Sequence, residues 1–154
     1  MNVETLRFGT IEFEEDEVLL FPEGILGFEE CKRYVVLQHG ECSPFFWLQS
    51  LDRPEVAFLV ADPAGFEPTY APEMPPGVAQ LLRLDENTPR LVYAILSIPH
   101  GKPKQMTANL AGPIVVNVAE RLACQVVVED GQWSTKHPVF VGSGGEEQSA
   151  STAA

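Results

Sequence analysis

The residues able to do chemistry are few and scattered. His39, His100 and His137 stand apart from one another. Only His39 and Cys42 lie three apart, and two potential ligands fall short of the three or four that hold a zinc ion. The three cysteines, Cys31, Cys42 and Cys124, form no CxxC pair, so neither a zinc ribbon nor a dithiol redox motif is written here. They read as small buried hydrophobes, and His137, just before Pro138, reads as a hydrogen-bonded structural residue. No GxSxG elbow supplies a serine nucleophile. The run Glu14-Glu15-Asp16-Glu17 brings four carboxylates together. Acid–base catalysis needs burial to split such pKa values, and four consecutive acids in one connection cannot all be buried. The run reads as solvated. GSGG at 142–145 is followed by glutamates that would repel a phosphate. No catalytic, cofactor or metal site is expected.

Charge points elsewhere. The 154 residues carry a net charge of −12, and residues 1–30 hold nine acids against one base, Arg7. Such a field repels nucleic acid and anionic lipid and attracts basic protein surfaces. Phe45, Phe46 and Trp47 could stack bases on a sheet. With ten scattered basic residues, a core strand is the simpler reading, with Phe45 and Trp47 on one face and Phe46 on the other. Reduced thiols fit a cytoplasmic protein, and no apolar run approaches the roughly 20 residues of a membrane helix.

The elements that would position a site are short. Thirteen prolines and twelve glycines leave little room for long helices. Residues 2–14 alternate as a hairpin turning at Gly9-Thr10, and 18–21 restart a buried strand. Strands follow over 34–38, 45–50, 56–62 and 91–98. A turn and then a strand fill 109–118. Strand 124–130 turns at Asp130-Gly131 into a last strand over 133–140. One helix of about two turns is expected near Pro76, from Val78, Leu81 and Leu82 at i, i+3, i+4 spacing. Some nine strands with almost no helix argue a mostly β, single-domain antiparallel barrel over 1–141. Residues 142–154 lack large apolar side chains and read as a disordered tail.

The segment FPEGILGFEE, 21–30, is unusually apolar for a turn. Pro22 fixes its entry, and Gly24 and Gly27 supply positive φ. The expectation is that Phe21 and Phe28 fold back into the barrel while Ile25 and Leu26 stay near the surface. The candidate protein-binding residues are therefore Glu14, Glu15, Asp16, Glu17, Ile25 and Leu26. The alternative is a β-barrel holding a small ligand or an active site that no motif betrays.

Six segments in order, RFGTIE, LLFPEGILGFEE, SPFFWLQSLDRPEVAFLVADP, NLAGPIVVNV, Gln125 and STKHPVF, resemble the flagellar assembly factor family FliW from about Asn2 to Phe140. Gly112 stands where alanine often precedes the proline, and Trp133 where tyrosine is common. The resemblance implies a monomeric, cytoplasmic, non-enzymatic β-barrel. It implies two partners, newly made flagellin and the RNA-binding translational regulator CsrA. The two compete, so that the factor freed by flagellin export sequesters CsrA and flagellin translation resumes.

Overall fold

The computed structural model describes residues 1–38, 43–72, 74–75, 77–85, 87–128 and 131–140. The expectations for His39, Cys42, the Asp130 turn and the tail lie outside these residues. Ten strands run in chain order: β1 (Asn2–Thr5), β2 (Gly9–Glu12), β3 (Leu19–Leu20), β4 (Arg33–Gln38), β5 (Phe45–Ser50), β6 (Ala57–Ala61), β7 (Arg90–Ser97), β8 (Thr107–Asn117), β9 (Leu122–Gln125) and β10 (His137–Pro138). Among the described residues one short α-helix, α1 (Val78–Leu81), stands between β6 and β7.

Seven strands close into a ring, β8-β7-β6-β5-β4-β3-β9 and back to β8, with β10 added outside on β8. A closed ring with an odd number of strands cannot alternate direction throughout. Among the described residues the parallel contact falls where β3 meets β9, at Leu20 opposite Leu122. Closure pairs the seven ring strands on both sides where they meet, removing the edges an open sheet would expose there.

Alternation sorts the side chains into three clusters. Phe46 and Leu48 on β5, Val60 on β6 and Ile114 and Val116 on β8 point inward, where Phe21 and Tyr34 complete a filled barrel core. Phe45 and Trp47 point outward into a second cluster with Leu59, Leu96 and Leu110, as expected from their alternation with Phe46. α1 covers a third, on the outer face of β8 and β9, through Val78, Leu81 and the fully buried Leu82.

Several local expectations are corrected. The N-terminal hairpin turns over Leu6–Phe8, with Gly9 already paired to Thr5 in β2. The Thr5 hydroxyl holds this turn, accepting from the Phe8 N–H and donating to the Gly9 carbonyl. Residues 109–118 are not a turn followed by a strand. β8 runs unbroken through Gly112-Pro113 as a wide bulge, in which pairing jumps from Tyr93↔Ile114 to Ile95↔Asn109. Pro113 has no N–H to give the ladder. The bulge is satisfied partly from outside, by the Leu110 N–H bond to the Ser134 carbonyl and the Tyr70 Oη bond to the Leu110 carbonyl at 2.6 Å, and partly from within, where Asn109 Oδ1 accepts from the Ala111 N–H. The last strand shrinks to His137–Pro138.

The remaining polar residues behave structurally. Cys31 and Cys124 are buried free thiols. Burial, with Glu23 nearby, pushes the Cys124 thiol up to about 11. His137 Nε2 lies 3.5 Å from Glu67 Oε1, with its ring against Phe66.

Candidate protein-binding surface

The acidic run forms a single 3-10 turn, Glu15–Glu17, with all four carboxylate residues exposed. Glu14 N–H donates to Glu17 Oε1 at 2.7 Å, and Glu17 N–H to the Glu14 carbonyl at 2.9 Å. Glu14 and Glu17 thus shape the turn, and Glu15 and Asp16 carry its free charge outward.

Two arginines enter this surface that the sequence did not connect with it. Arg121 donates to the Glu17 carbonyl at 2.6 Å across 104 residues of sequence. Its guanidinium lines a recess of about 470 Å³ with Glu14, Asp16, Glu17 and Val36. On the other side Arg121, Arg33 and Glu15 rim a second, more apolar hollow over Met1, Phe13, Val18 and Leu20. Arg33 is itself held by Asp52, with its Nη2 3.2 Å from Oδ1. Further along the acidic front, Glu30 pairs with Arg53 at 2.7 Å; a backbone hydrogen bond and then the Arg53 guanidinium lower its carboxyl below the usual range. The front is therefore acidic with fixed cations set into it, and not a uniform negative sheet.

The apolar turn splits the other two candidates. Phe21 is fully buried, and Phe28 is half-buried with its ring edge-on to Phe58 at 5.2 Å. Leu26 is 65% exposed, as expected, but Ile25 is 2% exposed and belongs to the barrel core, contrary to the sequence expectation. The cause is backbone geometry. Gly24 at φ +69° and Gly27 at φ +86° double the chain back, and Ile25 bridges Phe28 across the turn. This turns Ile25 inward and leaves Leu26 at the apex. Gly24 allows no side chain, since a Cβ there would lie 2.5 Å from Glu29 Cα.

Gln125 anchors that apex. Its Oε1 accepts from the Leu26 N–H at 3.0 Å and its Nε2 donates to the Gly112 carbonyl at 3.0 Å. The turn is thereby tied to the β8 bulge. Arg121 is the turn residue just before β9 and Gln125 is the last residue of β9. The acidic turn and Leu26 thus hang from two ends of the same element. The acids and the exposed apex were legible in the sequence. Arg121 and Arg33 were not, because nothing local marks a residue whose partner is distant in the chain.

The class is a closed β-barrel with a filled core that carries its acidic turn and the Leu26 apex on the outside. Residues 2–139 match the FliW protein family. The flagellar assembly factor FliW of Moorella thermoacetica is 40% identical over 149 residues, covering 97% of this chain and 94% of that protein. That of Syntrophus aciditrophicus is 41% identical over 140 residues, covering 91% and 88%. A crystal structure of the flagellar assembly factor FliW superposes with a TM-score of 0.83 at 34% identity, covering 91% of this chain and 97% of that one. The chain belongs to the FliW family.

Proposed function

We propose that this chain is a cytoplasmic, monomeric, non-enzymatic flagellar assembly factor. It binds flagellin and, when free, binds CsrA, relieving repression of flagellin mRNA translation. Family membership along nearly the whole chain carries this reading. The filled barrel core supports it over a ligand-holding lumen, because Phe21, Tyr34 and Leu48 occupy the interior.

Within it, Glu15 and Asp16 steer a basic partner, CsrA before flagellin, and Leu26 offers an apolar contact. Exposed charges of this kind act on encounter rates, by about 10–10³-fold in strongly steered complexes, and are screened by salt. Calorimetry of the chain against flagellin and CsrA from the same organism tests the partners; absence of heat with both overturns the reading. Rapid-mixing kinetics of the Glu15→Lys, Asp16→Lys double variant tests the surface. Slower association with CsrA and a flatter salt dependence are expected, with dissociation barely changed. An unchanged low-salt association rate would reduce the acids to a solubility feature.

A further inference from the structure

Beyond β9 the chain keeps to the β8 ladder: Val126 N–H bonds to the Pro113 carbonyl at 2.8 Å and Val128 N–H to the Ala111 carbonyl at 2.9 Å. In an antiparallel pair the intervening residues turn their N–H and C=O groups the other way. Gln125 and Val127 therefore face the edge opposite β8. β3 covers that edge only as far as Leu20, whose N–H bonds to the Arg121 carbonyl. Pro22 and Gly24 then lead the chain off into the barrel end, where Gly24 N–H bonds to the Phe21 carbonyl. Among the described residues nothing bonds to the Val127 N–H or C=O.

A groove of about 540 Å³ follows this edge. Cys124 to Val127 form one side, Val78 and Leu81 of α1 the other, and Glu23 lies at its rim. Val127 is 49% exposed, and Leu26, 65% exposed, is tied to Gln125 by its N–H. Glu23 has no cationic partner among the described residues.

We propose that this edge takes an added β-strand from a partner protein, an extended segment with alternate apolar side chains and a basic residue placed beside Glu23. Two open main-chain groups on a segment still bonded to β8, backed by an apolar wall, are what strand addition uses: main-chain bonds supply affinity and side-chain grooves supply selection. The charge selects the sign. A second copy of this chain would bring its own −12 charge and its own Glu23 to the joint, whereas a basic segment is attracted. The inference does not depend on which protein donates the strand, so flagellin or CsrA binding can fail while it stands, and the reverse.

The test uses the full chain, labelled with ¹⁵N, and the capped peptide acetyl-Lys-Val-Thr-Val-Lys-Val-amide. Titration should shift and protect the Gln125 and Val127 amides. A version N-methylated on alternate residues should bind about tenfold more weakly, the loss expected from one or two net hydrogen bonds. Replacing the peptide lysines with glutamates should weaken binding, and Glu23→Gln should narrow that difference. Val127→Pro removes only an outward N–H, a place where an edge strand tolerates proline, and should abolish the amide shifts while the barrel melts normally. Equal binding of the N-methylated peptide to the unaltered chain overturns the proposal. So do shifts centred on Phe13 and Leu20, unshifted amides at millimolar peptide, or a concentration-dependent dimer that Val127→Pro dissolves, which would assign the edge to a second copy.

Discussion

Leu26 and Gln125 are joined by one hydrogen bond, from the Leu26 N–H to Gln125 Oε1 at 3.0 Å, and the same carboxamide holds the Gly112 carbonyl. One side chain thus locks an exposed apex to an interior bulge. Gln125→Ala removes both bonds; the exposed Leu26 N–H can turn to water, so the cost is about 0.5–1.5 kcal/mol per bond. Hydrogen exchange should show the Leu26 amide opening first. Uniform loss of protection through the barrel would mean that Gln125 matters only for packing.

The two glycines of the apical turn should differ. Both have positive φ, which costs an L-residue roughly 1–2 kcal/mol. At Gly27 a Cβ meets nothing within 4 Å, so Gly27→Ala carries that strain alone. At Gly24 the Cβ would also strike the Glu29 backbone. Urea denaturation should rank Gly24→Ala clearly below Gly27→Ala; equal midpoints would show that the 24–29 loop yields freely.

Neighbouring residues on the same turn should respond oppositely to truncation. Ile25→Ala opens a cavity in the core and should cost about 2–5 kcal/mol, with Phe21→Ala at about 3–5. Leu26→Ala should change stability by no more than roughly 0.5 kcal/mol. Any function of Leu26 must then appear in binding. A Leu26→Ala protein that melts as early as Ile25→Ala contradicts the burial described here.

Asp52 should set part of the acid limb of stability. Burial alone would raise its carboxyl, but the Lys32 and Arg33 N–H groups at 2.7 and 3.0 Å and the Arg33 guanidinium outweigh it, and the group sits below its ordinary value. A depressed folded-state pKa stabilises fully above the unfolded value, about 3.9. That stability is lost as pH falls through the folded value. The carboxylate is partly exposed, so the effect is on the order of 1 kcal/mol. Asp52→Asn should flatten the change in urea midpoint between pH 5 and pH 2, and an unchanged acid limb would remove Asp52 from this role.

The sequence by itself determined much that depends on local rules. Period-two alternation placed Phe45 and Trp47 opposite Phe46, abundant Pro and Gly kept the elements short, and clustered acids marked an exposed connection. Positive φ at Gly24 and Gly27 was legible because only glycine enters that region without strain. Tertiary structure alone decided the rest. Ile25 and Leu26 are chemically near-equivalent, and only the doubling back of the chain buries one and exposes the other. Arg121 joins the acidic turn from 104 residues away, and Gln125 reaches Leu26 from 99. The seven-strand closure, with its parallel β3–β9 contact, belongs to the same class. Long-range pairing satisfies groups that carry no local signature, so its outcome is fixed only when the whole barrel closes.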